Sequence, residues 1–263
     1  MDLSQLKVLV TGGAGIGVGG GVCEALDAGG ATIIINDIDG EKAHTACKKY
    51  NKAIPIQADI SQGGQVERMF GEIKESVGSI NGLVNNAGIG LSKLANEVTE
   101  AEFDRLYNVD MRAVWLVTKY FINQLLDQGI TGNIVNVSSV HAFSTMPKYA
   151  IYASAKSAVE GFTRGIAYEM GRHNIRCNAI APGMVHAEQN YDLMRTWTDD
   201  PKQWERDFMN DHQALQQLIQ PIDCGHAVAF LLSNLSRSIT GQTLYVDAGT
   251  TIMIAERSFV EKD

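Results

Sequence analysis

The sequence is short of cysteine. The four in 263 residues, Cys23, Cys47, Cys177 and Cys224, form no CxxC pair and join no Cys/His cluster at metal-ligand spacing. That argues against a disulfide framework and against a metal site, and it predicts buried thiols in a reducing, cytoplasmic setting. Basic charge is also scarce. With 22 Lys and Arg against 30 Asp and Glu, the net charge of −8 argues against nucleic acid or an anionic membrane surface as the main partner. No run is long and apolar enough to cross a bilayer, and the opening "MDLSQLKVLV" lacks the basic start and long apolar stretch of a secretory signal. The five prolines mark out no Pro/Gly/Ser-rich linker, and no tandem repeat or low-complexity tract divides the chain. A chain 45% hydrophobic and 20% charged can bury a sizeable core as one domain.

Short Val/Ile-rich runs recur at Lys7–Thr11, Ala31–Asp37, Ala53–Ile60, Gly82–Asn86, Asn133–Ser138, Arg176–Ala181 and Thr243–Val246. Helical periodicity occupies stretches between them, including Glu102–Asp127, Tyr152–Gly171 and Asp223–Ser233. Near-continuous apolar strands alternating with helices predict a doubly wound parallel sheet, α/β in class, with ligands at the strands' carboxyl ends. The first such end carries "TGGAGIGVGGGV", Thr11 to Val22, with seven glycines in twelve residues. A glycine loop between a strand and a helix N-terminus lets the backbone approach a pyrophosphate, which the helix amides and dipole then hold. Gly15-x-Gly17-x-x-Gly20 fits the GxGxxG pattern formally. Asp37 closes the second run twenty residues after Gly17. A carboxylate there accepts hydrogen bonds from an adenosine ribose and repels a 2′-phosphate, and the loop offers no Arg or Lys, so NAD is expected rather than NADP. Many methyltransferases share a glycine loop and an acidic residue after strand two, so the choice between them falls to the second half of the chain.

There, Ser139 ends a predicted strand, and Tyr152 and Lys156 lie four residues apart at the start of a predicted helix, on one helical face. A free tyrosine titrates near pH 10, and lowering that by about three units takes roughly 4 kcal/mol. A positive charge about 4 Å away, at an effective dielectric near 20, supplies about that much. Tyr-x-x-x-Lys can therefore serve as a general acid/base for an alcohol–ketone pair, with the Ser139 hydroxyl holding the substrate oxygen. The methyltransferase reading gives these three residues no task.

Together these motifs resemble the short-chain dehydrogenase/reductase family, in its branch of roughly 250 residues. The resemblance extends through "DI" at Asp59–Ile60, "NNAG" at Asn85–Gly88, "NAIAPGMV" at Asn178–Val185 and "ITGQTLYVDAG" at Ile239–Gly249, and thirteen residues separate serine from tyrosine as is usual there. It implies a single Rossmann-type domain with about seven parallel strands, a homotetramer or dimer, and hydride transfer between a secondary alcohol and a ketone. It implies that Tyr152 is the acid/base, that Lys156 assists it and binds the nicotinamide ribose, and that Ser139 orients the substrate. Cofactor contacts then fall to Gly13, Gly17, Val18, Asp37, Asp59, Ile60, Asn86, Gly88, Gly183 and Val185, with Pro182–Val185 beside the nicotinamide. Three positions depart from the family: the loop spacing, Asp110 where a catalytic asparagine is usual, and Ala187 where a threonine commonly contacts the carboxamide. Asn108 is expected on a different helical face from Asp110. The segment at about 186–218 is expected to cover a small-molecule substrate. Its Glu188, Gln189, Asn190, Arg195, Trp197, Trp204, Arg206 and His212, with His141 nearby, favour a small polar substrate such as a sugar, polyol or hydroxy acid. The competing reading is a dinucleotide-binding regulatory or scaffolding protein of the same fold without turnover.

Overall fold

Alternate residues of each Val/Ile run go to opposite sides of one sheet, and both sides are covered. In the computed structural model, which describes residues 1–187 and 191–255, seven strands form that sheet. They are β1 (Lys7–Thr11), β2 (Thr32–Asp37), β3 (Ala53–Gln57), β4 (Gly82–Asn85), β5 (Asn133–Val137), β6 (Arg176–Pro182) and β7 (Thr243–Val246). All neighbouring pairs are parallel, in the order β3-β2-β1-β4-β5-β6-β7, a Rossmann-type α/β fold. The helices are α1 (Val18–Ala28), α2 (Gly40–Cys47), α3 (Gly63–Val77), α4 (Glu100–Tyr107), α5 (Ala113–Gln128), α6 (Ala150–Met170), α7 (Tyr191–Met194), α8 (Pro201–His212) and α9 (Pro221–Leu232). Val8, Val10, Ile33 and Ile35 join Val22 and Leu26 of α1 and Val228 and Leu231 of α9 in one core. Leu9 and Ile34 face the other way, into a core with Met69 and Ile73 of α3 and Val117 and Phe121 of α5. This two-sided burial is why the strands read as unbroken apolar runs.

Two expected elements differ by more than two residues. The run Ala53–Ile60 stops being a strand at Gln57, because Asp59 turns the chain: its Oδ1 accepts from the amide of Ser61 (3.0 Å) and from its hydroxyl (2.7 Å). The expected helix Glu102–Asp127 is divided between α4 and α5 by a π-helical turn at Asn108–Arg112. The wider turn swings Asp110 fully into the interior while Asn108 stays exposed.

Some of the glycines serve packing rather than ligand binding. A Cβ on Gly21 would lie 2.0 Å from the Pro221 carbonyl oxygen, and one on Gly225 would lie 2.1 Å from that of Gly21, so α1 and α9 meet backbone to backbone. Gly225→Ala is expected to cost about 2 kcal/mol by overpacking. In a chain of this size that corresponds to a fall of about 6 °C in Tm by thermal unfolding. An unchanged Tm would show that the two helices part without strain.

Candidate active site

The strand order reverses between β1 and β4, and a cleft of about 1510 Å³ opens over the carboxyl ends there. Pockets for a single drug-sized ligand usually hold about 300–1,000 Å³, so there is room for a dinucleotide and a second molecule. At one end lies the glycine loop. Gly17 precedes α1 without a side-chain cap, which leaves the helix N-terminus open to an anion. Asn86 fastens the loop to the end of β4, its Nδ2 donating to the carbonyls of Thr11 (3.0 Å) and Gly12 (3.1 Å). A Cβ at Gly19 would lie 2.5 Å from Gly12 O and 2.6 Å from Asn86 Nδ2, so a side chain there would displace the loop.

Gly17, Val18, Asp37, Asp59, Ile60 and Asn86 all line this cleft, as expected. So do Gly88, Gly183 and Val185. Gly13, also expected to contact the cofactor, does not line the cleft. Its amide donates to Asn36 O (3.1 Å), and a Cβ there would meet Cys23 Sγ and Val10 at 3.2 Å, behind the loop. Gly12, Gly15 and Gly19 face the cleft instead. Asp37 ends β2 at its wall, with Oδ1 accepting from the amide of Asp39 (3.1 Å).

At the other end, β5 delivers Ser139, and the first turns of α6 deliver Tyr152 and Lys156. Lys156 is buried. Its Nζ donates to Val137 O (3.3 Å) and lies 3.1 Å from Asp110 Oδ2, as an ion pair, and 5.6 Å from the centre of the Tyr152 ring. The other Asp110 oxygen accepts from the amide of Ile89 (2.8 Å). Burial works to lower the Lys156 pKa, but the charges of Tyr152 and Asp110 outweigh it and raise the value above that of an ordinary lysine. A Cβ on Gly88 would touch both Lys156 Nζ and Asp110 Oδ2 at 3.2 Å, so the pair borders the cleft wall directly.

Ser139 Oγ accepts from the amide of His141 (3.2 Å). The His141 ring stacks on Tyr149 (4.6 Å between centroids) and meets Tyr152 edge-on (5.7 Å). Burial pushes its pKa down, which keeps the imidazole neutral at pH 7.

Residues 13–251 match the sequence family described as Enoyl-(Acyl carrier protein) reductase. A short-chain dehydrogenase/reductase of Armillaria gallica is 33% identical over 254 residues, covering 94% of this chain and 97% of that protein. The chain belongs to the short-chain dehydrogenase/reductase family. Carbonyl reductase [NADPH] 2 of Sus scrofa is 31% identical over 249 residues, covering 95% of this chain and 98% of the relative. Among solved structures, a gluconate 5-dehydrogenase from Burkholderia cenocepacia in complex with NADP and tartrate superposes with a TM-score of 0.87 at 29% identity, covering 96% of this chain and 98% of that one.

For this short-chain dehydrogenase/reductase, the covering segment is where sequence reading and structure diverge most. Glu188, Gln189 and Asn190 lie outside the described residues. Arg195 and Arg206 are exposed and line no part of the cleft, whereas Trp197, Trp204 and His212 do. Ala187, in the family's threonine position, is buried in the wall. Two features went unforeseen. Glu205 is 3% exposed and accepts from Tyr191 OH (3.2 Å), with His186 Nδ1 at 2.9 Å, yet in "KQWERDF" a glutamate reads as a solvent-facing residue. Met253 to Ala255 also reach the cleft, from beyond the last motif.

Proposed function

We propose that this oxidoreductase interconverts a secondary alcohol and a ketone, with Tyr152 as acid/base and NAD(H) as cofactor. The observation that carries the reading is the Lys156–Asp110 pair beneath Tyr152, in the same cleft as the glycine cradle. A buried, paired ammonium 5.6 Å from the phenol ring favours transient negative charge on that oxygen. A sensor of the same fold would need the cradle but not this arrangement.

The cradle fits a nicotinamide dinucleotide: Gly12, Gly15 and Gly19 leave the backbone open beside the α1 N-terminus, and Asp37 stands where the adenosine ribose would end. When bound, that group supplies or accepts the hydride. Ser139 holds the substrate oxygen, Tyr152 moves the proton, and Lys156 stabilises the phenolate. Exposed Phe103 and Trp115, on α4 and α5, support the homo-oligomer expected of the family.

NAD is favoured by Asp37 and by the absence of Lys and Arg from Thr11–Val22, although the pig relative's name carries NADPH and the Burkholderia structure holds NADP. Like charges set against each other cost several kcal/mol, so NADH is expected to bind at least about a hundredfold more tightly than NADPH. Asp37→Ser should close most of that gap. Side-by-side titrations followed by cofactor fluorescence decide it; equal affinities in the unmodified protein would overturn the NAD reading. Turnover itself is tested by NADH oxidation with ketones and NAD⁺ reduction with alcohols, with Tyr152→Phe alongside.

As for the substrate, a sugar, polyol or hydroxy acid would find hydrogen-bond partners along Ser139, His141, Ser144 and Thr145. Those groups form only part of the lining.

A further inference from the structure

Trp204, Phe208 and His212 follow one another at four-residue intervals, so α8 carries three rings on one face. Their centroids are 5.5 and 5.0 Å apart, and Trp197, from the turn before α8, adds a fourth ring 5.4 Å from Trp204. All four line the cleft, as does the buried Met194. Three polar residues of α8 bond to one another away from the cleft: Gln203 donates to Asp207 (2.7 Å) and accepts from Arg206 (2.6 Å), and all three are exposed. Trp197 leaves 38% of its surface open, and Ile254, on the same cleft, is fully exposed. Open apolar surface within a cleft is surface that a ligand can cover.

A small polyhydroxylated ligand would cover little of this apolar surface and would find few hydrogen-bond partners along it, since phenyl and indole rings accept no ordinary hydrogen bond. A flat apolar body would pack against the open side of the ladder in the edge-to-face and offset arrangements that aromatic pairs prefer. We infer that the Trp197–Trp204–Phe208–His212 ladder binds a flat, largely apolar substrate body, and that the substrate class is fused-ring ketones and their alcohols, with the oxygen held at Ser139 and Tyr152. The inference rests on the reading of Tyr152 as acid/base, and it replaces the small polar substrate expected from the sequence. That expectation counted the polar residues of the covering segment without knowing that Arg195 and Arg206 are exposed and line no part of the cleft.

The test measures binding separately from turnover. Protein saturated with NAD⁺, which cannot reduce a ketone, is titrated with 2-tetralone or dihydroxyacetone while indole emission is followed; Trp115, on α5 and outside the cleft, gives a constant background. Saturable quenching by 2-tetralone is expected. Trp204→Ala should weaken its binding about thirtyfold and Trp204→Phe by no more than about threefold, with dihydroxyacetone affected by neither. Trp197→Ala, at a more exposed position, should weaken it about tenfold and stands in should Trp204→Ala fail to fold. The inference fails if dihydroxyacetone binds more tightly than 2-tetralone, or if the alanine variants bind 2-tetralone as well as the parent does. If 2-tetralone binds as expected but is not reduced with NADH, or is reduced equally well by Tyr152→Phe, the ladder stands and the acid/base reading falls.

Discussion

Tyr152→Phe is expected to lower turnover about a thousandfold and to leave NADH affinity within about threefold. The substitution removes one oxygen and keeps the ring, so the edge contact with His141 (5.7 Å) and the approach of Lys156 Nζ (5.6 Å) survive. What is lost, on the proposed mechanism, is the group that moves the proton. General acid–base catalysis contributes typically 10²–10⁴-fold, and a thousandfold loss corresponds to about 4 kcal/mol in the barrier. NADH absorbance gives the turnover, and a fluorescence titration gives the affinity. A variant keeping more than a tenth of the parent's turnover would show that the proton takes another route, with His141 and Lys156 the neighbouring candidates. Loss of NADH binding as well would mean that the phenol acts mainly in shaping the cleft.

The strands were legible because burial on both faces leaves little choice of residue: Val8, Leu9 and Val10 point into two different cores, and both demand apolar side chains. β1 and β7 have the boundaries the sequence predicts. The placement of residues at the strand ends was legible too: Asp37 closes β2, Ser139 follows β5, and Tyr152 and Lys156 lie one turn apart on α6, so all four reach the same cleft. The parts that stayed hidden depend on groups far apart in the chain. Gly13 looks like every other glycine of its loop until Cys23 packs against it. The π-helical turn at Asn108–Arg112 has no hydrophobic period of its own to mark it. In α8, the charged residues obscure the ladder, because a strongly polar helix with two aromatic rings reads as a surface element until its ring face meets the cleft.

Asp110→Ala is expected to destabilise the fold more than any other single change considered. It strips the carboxylate from a Lys156 that is only 5% exposed and also leaves the amide of Ile89 without its acceptor. Removing one partner of a buried ion pair costs about 3–5 kcal/mol, which in a chain of this length lowers Tm by about 10 °C or more. The pH dependence identifies the cause. In the parent, the Lys156 pKa is raised above its unfolded value, so the pair's contribution is fully present below the ordinary lysine range and is lost as pH rises through the raised value. In the variant, burial and the Tyr152 charge remain but the carboxylate's share of the increase is gone. The stability gap between the two proteins should therefore be widest near neutrality and close in alkali. A gap independent of pH would assign the loss to packing alone. Asp110→Asn separates charge from hydrogen bonding, since the amide oxygen can still accept from Ile89 N while the charge opposite Lys156 is gone. Most activity should remain, with the alkaline limb of the pH–rate profile displaced to lower pH, because the ammonium now gives up its proton sooner. A profile unchanged in position would show that the carboxylate does not govern Lys156. A loss beyond about a hundredfold at every pH, roughly 2.7 kcal/mol, would mean that the carboxylate has a role of its own in the reaction.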